Sequence, residues 1–148
     1  MQRTFDWLGS NGRFTRNSAT LTKQSDDVCA VVALQRSDLG PSYYINVGFG
    51  LRQLHGQRIE GIGQCDIRVR IERLLGDPGL AEFFDLQNDL DESVREAALR
   101  RPPGDRLTRI VDQALTIGGL AGLLQSGRLK QAFVAKGARE LLTNAESA

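Results

Sequence analysis

The chain holds two cysteines, one histidine, one tryptophan and one methionine, and aromatic residues make up 6% of it. Two cysteines in a chain of this size exclude a disulfide scaffold. One histidine and two cysteines with no paired spacing leave no zinc-type ligand set, so neither a metal nor a cofactor is expected. No apolar run approaches the roughly 20 residues that cross a bilayer. The opening Met1-Gln2-Arg3-Thr4-Phe5-Asp6-Trp7 lacks the apolar centre of a signal peptide, so the expected location is the cytoplasm. A net charge of +1 and a pI near 7.8 supply no general field for polyanions, which makes nucleic acid an unlikely partner and excludes binding to a membrane surface by charge.

What is present is ordinary globular composition, with 41% hydrophobic and 25% charged residues in 148. One α+β domain over 1–148 is expected, with strands in about 12–75 and helices in about 80–145. Arg13 to Arg16 and Ala19 to Lys23 flank Asn17-Ser18 and predict a short polar hairpin. Val28 to Leu34 is a continuous Val-rich run of strand length, the mark of a central strand buried on both faces. Ser37-Asp38-Leu39-Gly40-Pro41 is turn chemistry. Next, Tyr43, Ile45, Val47, Phe49 and Leu51 alternate with Tyr44, Asn46, Gly48 and Gly50. Cys65, Ile67, Val69 and Ile71 alternate in the same way with Asp66, Arg68, Arg70 and Glu72. Both patterns have the period of two that places one set of side chains on a core and the other outside. Residues 52–64, with the lone His55, are expected to be a loop.

After Gly76-Asp77-Pro78-Gly79 the period changes. Leu80 to Leu86 fits either a short strand or a helical turn, and Asp91-Glu92-Ser93 opens a helix that ends before Pro102-Pro103-Gly104. Asp105 is the expected cap of a helix carrying Leu107, Ile110, Val111, Ala114 and Leu115 on one face. Gly118-Gly119 is expected to break it, and Leu120 to Leu142 to follow as one or two short helices. The predicted architecture is therefore an antiparallel sheet of three to five strands packed on one face by C-terminal helices.

No phosphate loop, nucleophile elbow or dinucleotide fingerprint is present. Gly48-Phe49-Gly50 lies within a strand pattern and Gly61-Ile62-Gly63 precedes no helix, so neither has the context of a nucleotide site. A lone loop histidine is more often solvated than basic in a mechanism. What remains is the outer sheet face. A four-residue loop over 38–41 pairs Ser37 with Ser42, Gln35 with Tyr44 and Ala33 with Asn46. Gln35, Tyr44 and Asn46 then share a face, and Arg68 and Arg70 join it if the two alternating strands are neighbours. These five residues form the candidate ligand or partner surface. The simpler reading is the solvated side of a one-sided sheet. Gly48 and Gly50 on that face mark a bulge or a close approach by backbone or ligand. The apolar Gly118 to Leu124 segment suggests a core hinge or a groove for a partner.

Four segments occur in order: Gly12-Arg13-Phe14-Thr15-Arg16, Val31-Val32-Ala33-Leu34-Gln35-Arg36-Ser37, Tyr43-Tyr44-Ile45-Asn46-Val47-Gly48 and Cys65-Asp66-Ile67-Arg68-Val69-Arg70-Ile71. Together they resemble the bacterial domain-of-unknown-function family catalogued as 4304, over roughly residues 5–75. Family members usually begin with a longer N-terminal helix, whereas only Met1 to Leu8 precede the first expected strand here. The resemblance implies an α+β fold and carries no catalytic residues over. It places Gln35, Asn46, Arg68 and Arg70 among its pattern positions. The functional expectation is a non-enzymatic binding or interaction module, immunity-like and neutralising a toxin, or a homodimer. The alternative is a small-molecule or phosphate-binding domain with Arg68 and Arg70 as an anion clamp.

Overall fold

A computed structural model describes residues 1–55 and 59–147. The chain opens with helix α1 (Gln2–Asn11), then β1 (Thr15–Asn17), β2 (Thr20–Gln24), β3 (Val28–Arg36) and β4 (Tyr43–Leu51). Helix α2 (Arg52–His55) and a 3₁₀ turn (Ile62–Gln64) lead to β5 (Ile67–Arg70). Then come α3 (Ile71–Leu74), a 3₁₀ turn (Pro78–Leu80), α4 (Ala81–Phe84), α5 (Glu92–Leu99), α6 (Asp105–Ala114) and α7 (Ile117–Gln125). A short β6 (Phe133–Val134) and helix α8 (Lys136–Ser147) follow. The architecture is α+β. The sheet is a fully antiparallel meander in chain order, β1-β2-β3-β4-β5-β6.

The sheet has six strands, not the three to five expected, and the sixth comes from the helical half. Phe133-Val134 is two residues long, too short for its periodicity to separate it from the helices around it. It exists because β5 offers it an edge: Ile67 pairs with Val134 and Arg68 with Phe133. Helices also come from both ends of the chain. In α1, Phe5 and Leu8 stand one turn apart and are buried against the same core as the later helices. The sheet is thus packed on its inner face by α1 as well as by C-terminal helices.

The β3–β4 hairpin has the register expected, with Gln35 opposite Tyr44, Ala33 opposite Asn46, and the Ser37 N–H donating to the Ser42 carbonyl at 2.8 Å. On the inner face Val47, Phe49 and Ile67 are fully buried. They meet Leu107, Val111 and Ala114 of α6, Leu120 of α7 and Leu142 of α8 in one cluster. Burial of each large side chain there contributes roughly 1.5–3 kcal/mol. The fifth strand is shorter than its alternation suggests, because Ile71 begins α3. A core-facing residue at that position satisfies either geometry.

Other boundaries moved for local reasons. Leu80 to Phe84 is helical, and only Asp85 pairs as a strand, through an isolated bridge to Ser42. Asp105 is the first residue of α6 rather than its cap, and its carboxylate accepts from the Asn11 amide at 3.1 Å. The break before α7 falls at Thr116, whose hydroxyl accepts from the Gly119 N–H at 2.9 Å. Gly118 and Gly119 therefore lie inside the helix, and Leu120, Ala121 and Leu123 of this segment are buried core rather than a groove. The expected 52–64 loop is α2 and a 3₁₀ turn, with residues 56–58 outside the described residues. No single helix among the described residues is long and apolar enough to cross a membrane.

Arg95 of α5 is buried, at 3% exposure, and organises the segment between α4 and α5. Its guanidinium donates to the carbonyls of Phe83 at 2.6 Å, Asp85 at 3.1 Å and Asn88 at 3.3 Å, with Glu92 at 3.4 Å as counter-charge. Removing it strands three carbonyl acceptors, while Glu92 keeps the N-terminal ammonium of Met1 at 2.9 Å. Arg95→Ala is expected to destabilise the fold by about 3 kcal/mol in urea unfolding. The exposed Arg68→Ala should stay within about 0.5 kcal/mol of the parent.

Candidate functional site

The outer face of the sheet divides into a covered half and an open half. Over the covered half lies the segment 59–65, which runs from Ile59 through the 3₁₀ turn to Cys65. Cys29, Val31, Ile59 and Cys65 are buried there as a second small cluster, with Ile62 packed against it. The bare positions on β4 admit this segment. A Cβ on Gly48 would lie 2.6 Å from Ile62 Cδ1 and 2.7 Å from Cys65 Sγ, and one on Gly50 would lie 2.2 Å from Ile59 Cδ1. The close approach is therefore made by the chain's own loop.

Cys65 precedes β5 and faces the outer cluster, whereas Ile67 faces the inner core. The strict alternation from Cys65 onward hid that reversal. The Cys65 thiol lies 3.7 Å from the Gly61 carbonyl, and the Cys29 thiol 3.9 Å from that of Ile59. Burial pushes the Cys65 thiol up to about 12, with the neighbouring Cys29 and Asp66 adding to the effect and Arg68 opposing it. Burial also raises Cys29, against the pull of Arg52. Both therefore serve as packed, protonated thiols rather than nucleophiles.

The loop is pinned at its downstream end by Asp66, which is buried. Its carboxylate accepts from the Leu51 N–H at 2.8 Å and meets His55 Nε2 with both oxygens at 2.9 Å. His55, the lone histidine, thus holds α2 to the start of β5.

The open half carries all five residues singled out from sequence. The register sets Asn46 beside Arg70, Gly48 beside Arg68, and Gln35 beside Tyr44. The structure brings them together in pairs. The Arg70 guanidinium lies 3.9 Å from the centre of the Tyr44 ring. Asn46 Nδ2 donates to Gln35 Oε1 at 2.7 Å, and the Tyr44 hydroxyl donates to Ser37 Oγ at 3.4 Å. The Arg68 guanidinium lies 4.4 Å over Phe133 of β6, an aromatic ring that sequence reasoning did not connect to this face. Neither arginine has a carboxylate partner among the described residues, and stacking at an exposed site such as that of Arg68 contributes roughly 0.5–1 kcal/mol. At the hairpin tip, Leu39 is 98% exposed. An apolar residue inside a Ser-Asp-x-Gly-Pro turn was the sequence signal for it.

A family model described as a domain of unknown function (DUF4304) matches residues 7–102. The chain belongs to the DUF4304 family. All five face residues lie within the matched segment, while Phe133, which stacks on Arg68, lies beyond it. No curated protein and no solved structure matches the chain.

Two outcomes are expected of this DUF4304 chain. Gly48→Val should force Ile62 and Cys65 off the sheet and destabilise the fold by about 1–3 kcal/mol, measured by thermal or urea unfolding. The Cys65 thiol keeps its proton in the folded state up to about 12 but loses it near 9.0 when unfolded. The folded chain thus binds the extra proton in that window, and stability should fall as pH rises through it. In Cys65→Ala that component of the alkaline loss should vanish in urea titrations across the same window.

Proposed function

We propose that this chain is a non-enzymatic binding module that docks a protein partner on the open half of its outer sheet face. The observation that carries the reading is the pair of stacked guanidiniums, half-buried Arg70 on Tyr44 and exposed Arg68 on Phe133, with no carboxylate partner among the described residues. Arginine and aromatic side chains are the types that dominate interface energetics, and stacking holds them in place before a partner arrives. The face positions set by the strand register contain no acidic residue. A partner presenting carboxylates therefore gains charge-assisted bonds with little opposing charge. The fully exposed Leu39 at the adjoining hairpin tip adds an apolar anchor.

A second copy fits this face less well. A two-fold contact would set Arg68 and Arg70 against themselves, and like charges in an interface oppose association. In its most specific form the reading is immunity-like, with a toxin as the neutralised partner and the product of a neighbouring gene as the first protein to try. An anion clamp formed by Arg68 and Arg70 is the second reading, favoured by the same unpaired guanidiniums.

The test is a pull-down with co-encoded proteins, followed by titration calorimetry. Tyr44→Ala, Arg70→Ala and Leu39→Asp should each weaken capture by about tenfold or more while leaving unfolding curves near the parent. Failure of every co-encoded protein to bind, or binding that these variants leave unchanged, rules the reading out.

A further inference from the structure

Away from the sheet face, a cleft of about 250 Å³ opens between the end of α3 and the turn that follows α7. Its walls are Arg73, Leu74, Gly76, Ser126, Gly127 and Arg128. A second depression of about 360 Å³ adjoins it, sharing Arg73 and Gly76 and adding Glu72, Pro78, Ala81 and Gln131. Taken alone, each is at or near the lower end of small-ligand sites, and Arg73 and Gly76 form a wall common to both.

The first cleft has a cationic character, with no acidic residue among its lining residues. Arg73 and Arg128 arrive from separate elements, and neither has a carboxylate partner among the described residues. The carbonyls at the ends of α3 and α7 are the natural counterweight to such side chains. Those carbonyls are already engaged. The Arg73 carbonyl accepts from the Gly76 N–H at 3.3 Å, that of Gly122 from Ser126 at 2.9 Å, and that of Leu124 from Gly127 at 3.3 Å. The Ser126 hydroxyl is likewise turned inward, donating to the Leu123 carbonyl at 3.0 Å. What the cleft offers a ligand is therefore two guanidinium forks over a floor formed by the fully buried Leu74.

Two guanidiniums match a doubly charged oxyanion better than a single carboxylate, since each fork can pair with two oxygens of a tetrahedral group. The adjoining depression has apolar Pro78 and Ala81 to receive a carbon skeleton, and Glu72 and Gln131 to accept from hydroxyls. We propose that the cleft binds a phosphomonoester, with its phosphate between Arg73 and Arg128 and its organic part in the adjoining depression. The site is independent of the protein-docking face, and the test separates the two.

The experiment titrates the full chain with phenyl phosphate and, separately, with inorganic phosphate, reading amide chemical shifts. Phenyl phosphate should saturate with a Kd of about 1 mM or tighter, and tighter than inorganic phosphate. Arg73→Ala and Arg128→Ala, both exposed and away from the core, should each weaken it at least about tenfold. The double variant Arg68→Ala/Arg70→Ala should bind as the parent does. Absence of saturation overturns the proposal, as does binding that survives in both cleft variants or is lost in the sheet-face variant. Equal affinity for phenyl phosphate and inorganic phosphate overturns the assignment of the second depression.

Discussion

The outer face owes its shape to one residue, Asp66, at the entry to β5. Its main-chain N–H donates to the Phe49 carbonyl at 3.0 Å and its carbonyl accepts from the Ala135 N–H at 2.8 Å, so it joins β4 to the approach of α8. Its side chain holds the Leu51 N–H and His55. A buried carboxylate is tolerated only with such partners, and here β4, α2 and the approach to α8 meet on one residue. With that junction fixed, segment 59–65 lies across Gly48 and Gly50 and leaves the rest of the sheet uncovered.

The division that results is between a packed half and a polar half of the same two strands. Cys29 and Val31 on β3 are buried under the loop, while Gln35 on the same strand and face is exposed. Glycine at two positions of β4 makes the covered half possible, and tyrosine and asparagine at two others furnish the open half. The polar half is ordered by contacts among its own members, ring on guanidinium and amide on amide. Its side chains therefore have less rotamer freedom to lose when something is laid against them.

Much of this was legible in the sequence where strict alternation and turn chemistry acted together. The Ser37 to Ser42 turn set the register that puts Gln35 beside Tyr44, and the period of two then placed Asn46, Arg68 and Arg70 on the same side. Legibility failed where a residue's partner lies far along the chain. Nothing near Phe133 announces a strand, since its pairing depends on β5 presenting an edge. Arg95 sits in a helix whose charge pattern reads as solvated, and its burial follows from the carbonyls of Phe83, Asp85 and Asn88 folding around it. Asp66 reads as the polar half of an alternation. Its role appears only when Leu51, His55 and Ala135 are placed in space.

The last strand has a consequence for how the chain assembles. β1 to β4 pair with near neighbours in sequence, through turns of a few residues, and such hairpins form early and locally. The edge at β5 waits for Phe133 and Val134, which lie beyond helices α3 to α7 in the chain. The family match stops at residue 102, short of that edge. The strand that completes the sheet therefore lies outside the matched segment. Residues past the matched segment decide whether Arg68 stands beside an aromatic ring or beside open water.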